Sequence, residues 1–104
     1  MAEHVVGRYD DLPEAVAVPF DVDGVTIAVV RIGTSVYAIE DKCSHQDVPL
    51  SEGSVDVFEC SIECIKHGSM FDLRSGEPLC LPATRPVPVY KAIVRDGDVV
   101  VVDG

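Results

Sequence analysis

Val25-Thr26-Ile27-Ala28-Val29-Val30-Arg31-Ile32-Gly33-Thr34-Ser35-Val36-Tyr37-Ala38-Ile39-Glu40 carries the reading of the fold. Val25–Ile32 is an apolar-rich run of strand length. Gly33-Thr34 turns the chain, and Ser35–Glu40 then alternates sides as a half-buried strand does. Upstream, Ala15–Val22 is a second apolar-rich run, joined to Val25 at Asp23-Gly24. That dipeptide suits a tight hairpin because glycine tolerates positive φ. Val5–Tyr9 reads as a first strand. The C-terminal end repeats the device: Val87–Val94 leads to Asp96-Gly97, and Asp98–Val102 returns. Pro13 follows the only short helical lead-in, while Pro49, Pro78, Pro82, Pro86 and Pro88 interrupt much of the rest. The expectation is an all-β chain with no helix of any length.

The 104 residues suit one ordinary domain. An apolar fraction of 47% excludes a disordered chain. No apolar run reaches the roughly 18–20 residues that a bilayer crossing needs. Met1-Ala2-Glu3-His4 has neither the positive region nor the apolar stretch of a secretion signal, so a cytoplasmic location is expected. Eight basic against 18 acidic side chains leave a net charge of −10. Such a balance opposes nucleic-acid binding, which depends on Lys and Arg neutralising phosphates. It favours solubility and a partner with a basic surface, bound less tightly as salt rises.

The middle of the chain differs from both ends. From about 41 to 86 it holds all four cysteines, two of the three histidines and most of the Pro and Ser. This stretch reads as loops set on a β scaffold, where functional residues concentrate. Within it stand Cys43-Ser44-His45 and Cys64-Ile65-Lys66-His67, separated by enough chain for a strand excursion and return. Each pair places a thiolate and an imidazole one or two residues apart on a single loop. Three readings compete. The four side chains are core thiols and incidental histidines; or they form a Cys₂His₂ zinc site, although zinc spacings usually pair Cys with Cys and His with His; or they hold a [2Fe–2S] cluster in which two Cys bind one iron and two His the other.

The paired motif C-x-H and C-x-x-H, continued as His67-Gly68-Ser69-Met70-Phe71-Asp72, closely resembles the Rieske [2Fe–2S] ferredoxin family, and the resemblance spans essentially the whole chain. It is similar to ferredoxin components of bacterial ring-hydroxylating dioxygenases. Through Pro49–Gly53 and Leu81–Tyr90 it also resembles a bacterial subset associated with iron–sulfur cluster assembly. The resemblance implies a Rieske fold: an antiparallel β-sandwich base with an inserted, loop-rich cluster-binding subdomain, the whole being one domain over 1–104. It implies one [2Fe–2S] cluster per chain, ligated by Cys43, His45, Cys64 and His67, with the two imidazole edges facing outward as the electron's exit. Gly68 would permit a tight loop beside the cluster, Ser69 would donate to it, and Pro82 would stiffen a covering loop. Phe71 stands where high-potential members have a Tyr, and Val48 and Lys66 stand where those members have a disulfide. Both departures imply a lower potential.

Mixed ligation has an electrostatic consequence. Two ferric ions, two sulfides and two thiolates sum to zero when both imidazoles are neutral, whereas four thiolates give −2. Reducing a neutral site costs less Coulomb energy, so His ligation raises the potential. Imidazole also allows a proton to follow the electron.

The implied function is that of a monomeric one-electron carrier. It would run between a flavin-dependent reductase and a terminal oxygenase or other acceptor. An oxygenase would further need a mononuclear iron site of two His and a carboxylate, and only His4 is left over. A non-catalytic accessory or sensor in cluster assembly is the rival, and a zinc module the third possibility. Cys60, in Val57-Phe58-Glu59-Cys60, is expected to be a buried strand thiol and Cys80 a small loop residue, neither in a disulfide. Asp41, Asp47, Glu52, Asp56, Glu59 and Glu63 are read as an acidic rim around the ligand loops or as a solvated surface.

Overall fold

A computed structural model of the chain describes residues 2–22, 24–42, 49–65, 68–79 and 85–103. Among the described residues, nine strands make up two antiparallel sheets. The larger contains β1 (Ala2–Arg8), β2 (Ala17–Val22), β3 (Val25–Ile32), β4 (Ser35–Glu40), β8 (Val89–Arg95) and β9 (Asp98–Asp103), in the order β1-β9-β8-β4-β3-β2. The smaller contains β5 (Val55–Asp56), β6 (Ser61–Glu63) and β7 (Met70–Asp72), in chain order. Two single 3-10 turns, Tyr9–Asp11 and Leu50–Glu52, connect elements.

Only Ala38↔Tyr90 and Ile39↔Val89 join β4 to β8, so the large sheet consists of two three-stranded halves hinged at a short seam. Side-chain alternation then assigns two cores. In β3, Ile27 and Val29 point into a cluster with Leu12, Val22, Ala38, Val99 and Val101, which fills the base. Ala28 and Val30, on the opposite face, join Ile39, Leu50, Ile62, Cys64, Phe71 and Leu73 beneath the small sheet. Strands β3 and β4 therefore form a wall apolar on both faces, which is why four successive residues from Ile27 to Val30 are all buried. Within the inserted region, the described segments 49–65 and 68–79 are seated on that second core.

The strands read from Val25–Ile32 and Ser35–Glu40 hold to the residue. The preceding strand starts at Ala17 because Ala15 is left-handed (φ 57) and donates its N–H to the Arg31 carbonyl at 2.8 Å. The first strand runs earlier than its pattern suggested, over Ala2–Arg8, paired with β9. One expectation is corrected. Cys60 is neither buried nor in a strand; it is a half-buried free thiol in the β5–β6 turn, with φ 53. Cys80 lies outside the described residues.

Candidate functional site

Cys64 follows β6 directly and has no exposed surface. The register Glu63↔Met70 places Cys64 opposite Ser69 at the open end of the β6–β7 pair. There Cys64 N–H donates to the Ser69 carbonyl at 2.7 Å, and Gly68 N–H donates to the Cys64 carbonyl at 2.9 Å. Closing so short a loop demands a left-handed residue, and Gly68 supplies it at φ 73. Ser69 is fully buried, as is Phe71, which packs in the same cluster as Cys64. Of the expected site residues, Cys43, His45, His67 and Pro82 lie outside the described residues, as do Val48 and Lys66; Cys64, Gly68, Ser69 and Phe71 are brought together.

The flanks of the other two loops lead to the same place. Before residues 43–48, the Asp41 amide donates to the Thr26 carbonyl at 2.9 Å, tying it to β3. Beyond them, Ser51 donates to the Asp41 carboxylate twice, from its amide to Oδ1 and from its hydroxyl to Oδ2, each at 2.6 Å. Asp41 is thus a buried clamp between the two described flanks of residues 43–48 and not part of an acidic rim. Two residues further, Gly53 lies so close to the Glu63 carbonyl that a Cβ there would overlap it, while Glu63 N–H donates to the Ser54 carbonyl at 2.9 Å. The exit of the first loop is therefore pressed against the root of the second. Just before residues 80–84, Leu79 N–H donates to the Met70 carbonyl at 2.7 Å. Beyond them, Val87 N–H donates to the Gly76 carbonyl at 2.8 Å, where a Cβ would overlap the Val87 carbonyl.

Asp41, Ser51, Gly53 and Gly76 were not singled out from the sequence as loop-positioning residues. The available signal for the glycines was their place just outside a Cys/His loop and just before a proline-rich one. Under the small sheet, Asp72 is held below the ordinary carboxyl range by hydrogen bonds from the Arg74 guanidinium, against a smaller upward push from burial. The Tyr37 hydroxyl is held above its ordinary value by its hydrogen bond with the Cys60 thiol and by burial, linking β4 to the β5–β6 turn.

The donor chemistry fits a metal cluster. Cys64 is buried among apolar side chains beside a loop closed by backbone bonds, a place where a thiolate would need a metal to neutralise it. An all-β base whose described segments 41–42, 49–65 and 68–79 are cross-braced beside one buried thiol suits a small β domain that holds a cofactor at its loops. A family model for the Rieske [2Fe-2S] domain matches residues 2–91. The ferredoxin subunit of 3-phenylpropionate/cinnamic acid dioxygenase from Escherichia coli (strain K12) is 40% identical over 89 residues, covering 86% of this chain and 82% of that protein. Among solved structures, the ferredoxin of carbazole 1,9a-dioxygenase from Nocardioides aromaticivorans IC177 is 38% identical, with a TM-score of 0.96 over 100% of both chains. A chain from a complex of reduced oxygenase and oxidized ferredoxin in carbazole 1,9a-dioxygenase is 34% identical, with a TM-score of 0.90 over 96% of this chain and 92% of that one. This chain belongs to the Rieske [2Fe-2S] domain family. It is a ferredoxin, a carrier of single electrons on one [2Fe–2S] cluster rather than a catalyst, and the zinc-module reading gives way.

Proposed function

We propose that Cys43 and Cys64 hold one iron of the cluster and His45 and His67 the other, and that the chain shuttles electrons from a flavin-dependent reductase to a terminal oxygenase. The likeness to a dioxygenase ferredoxin over the full length of both chains carries this reading. When bound, the cluster takes up and gives back one electron at a potential set by its mixed ligands. The chain's own residues do the rest. Cys64 supplies a sulfur from a buried position, and Gly68, in the left-handed region, closes the loop that follows it. Ser69, whose backbone carbonyl accepts the Cys64 N–H, is the hydroxyl-bearing residue proposed to donate to the cluster, and Phe71 fills the core there without a hydroxyl of its own. This combination supports a potential below that of members with a Tyr at that position. Pro82 stiffens the third loop as a cover against water. His45 and His67, as ligands of the outer iron, would give the electron its exit.

The chain acts as one domain over 1–104, with the cluster-binding part at about 41–86, in the cytoplasm and as a monomer. Among the described residues no helix is long and apolar enough to cross a membrane. The test is anaerobic mixing of the dithionite-reduced, desalted chain with the terminal oxygenase of carbazole 1,9a-dioxygenase from Nocardioides aromaticivorans IC177. Re-oxidation of the chain's visible spectrum as the oxygenase centre is reduced, one electron per chain, is the expected result. A chain that holds its cluster yet delivers no electron would refute the proposed acceptor.

A further inference from the structure

An open groove of about 540 Å³ beside the small sheet is lined by Val55, Val57, Phe58 and Met70, with Asp56 and Glu63 also among its lining residues. Phe58 is exposed over 101% of its reference area and Val57 over 45%. Large apolar side chains left wholly in water on an ordered surface mark contact sites rather than unfinished cores. The turn holds the ring out firmly. Asp56 Oδ1 accepts the N–H of Phe58 at 3.0 Å and of Glu59 at 3.1 Å. Cys60 closes the turn in the left-handed region at φ 53, and its carbonyl accepts the Leu73 N–H at 2.9 Å. An aromatic side chain on a pre-formed turn loses little freedom on binding, the profile of an interface anchor.

Charge identifies the occupant. The described lining residues include two carboxylates and no cation, exposed Glu59 adds a third acid on the same turn, and the whole chain carries −10. The groove also leads to the second loop. Met70 follows Ser69 directly, and the Glu63 carboxylate lies 3.8 Å from where a Gly68 side chain would begin. We propose that this groove is the docking surface for the electron-accepting protein, whose Lys/Arg-rimmed apolar recess takes the Phe58 ring. This rests on the electron-carrier reading above and adds where the acceptor is gripped. A partner anchored at Phe58 and laid along the groove lies against loop 64–69, so grip and transfer are adjacent but carried by different residues. Acid–base complementarity sets the encounter rate and its salt dependence, while the buried ring sets how long the complex lasts.

The experiment titrates cluster-loaded wild type, Phe58→Ser and Glu59→Gln against the same carbazole-dioxygenase oxygenase, following electron transfer and measuring Kd by calorimetry at several salt concentrations. Phe58→Ser is expected to raise KM and Kd about tenfold or more. Its saturating rate, visible spectrum and midpoint potential stay those of wild type, and its salt dependence is retained. Glu59→Gln is expected to raise KM a few-fold and to flatten the salt dependence. Wild-type KM in Phe58→Ser overturns the proposal, and so does a slower saturating rate with an altered spectrum, since either removes the separation of grip from transfer. If wild type itself delivers no electron to the oxygenase, the proposed acceptor fails first and the docking surface with it.

Discussion

Two residues before the first cysteine, Asp41 gives both carboxylate oxygens to Ser51, one to the amide and one to the hydroxyl, while its own amide is held by Thr26. With 8% of its surface exposed, this carboxylate is satisfied by the far end of the loop it begins, so the loop that carries Cys43 and His45 is closed by the protein itself. Asp41→Ala leaves the Ser51 amide and hydroxyl unpartnered, at a cost of about 1–3 kcal/mol. The measurable outcome is a lower denaturation midpoint by chemical unfolding, with faster bleaching of the visible chromophore at room temperature. A variant with wild-type midpoint and colour would show that the clamp is idle. The sequence made the acids near the cysteines visible but not which of them was buried. Asp41 and Glu52 look alike until the Ser51 contacts separate them.

At the scale of elements, the long hairpins were legible because their period-2 pattern is sustained: β3 and β4 fall where Val25–Ile32 and Ser35–Glu40 read. The small sheet was not legible. Its strands are two and three residues long, too short for alternation to register, and the turn between β5 and β6 uses a cysteine, not a glycine, in the left-handed position. The wall shared by two cores was likewise hidden, since a continuous apolar run such as Ile27–Val30 does not say what covers each face.

What holds these short strands is close backbone approach. Gly53→Ala therefore drives a methyl into the Glu63 carbonyl next to Cys64. The expected outcome is a chain that retains its base sheet by circular dichroism but recovers with markedly less iron, because the first and second loops are forced apart. Full iron content would contradict the role given to Gly53.

Asp72, on β7, offers a pH test. Its carboxyl titrates below the ordinary value of 3.8, chiefly because of Arg74. A depressed carboxyl contributes stability above its unfolded pKa and loses it as pH falls through its folded pKa. Asp72→Asn thus lowers Tm at neutral pH, and the gap to wild type closes as the pH drops below 3.8. A gap constant with pH would assign the loss to packing.

For the whole molecule, composition and motif had already pointed to an acidic carrier, and the architecture explains how the two coexist. The base sheet fills its own core from Leu12, Val22, Ile27, Val29, Ala38, Val99 and Val101, leaving the second core to support the loops and the surface free to be acidic. With a net charge of −10, association with a basic acceptor is expected to slow steadily between low salt and about 0.15 M, where the screening length is near 8 Å. Stopped-flow association rates that do not change with salt would remove charge steering from the account.

The account rests on mixed ligation, and hyperfine spectroscopy of the dithionite-reduced chain tests it most directly. Two nitrogens strongly coupled to the unpaired electron are predicted, lost together with the colour in Cys64→Ser and altered in His45 and His67 variants. A reduced cluster with no coupled nitrogen, or a colourless chain with tightly bound zinc after anaerobic reconstitution with iron and sulfide, would contradict it.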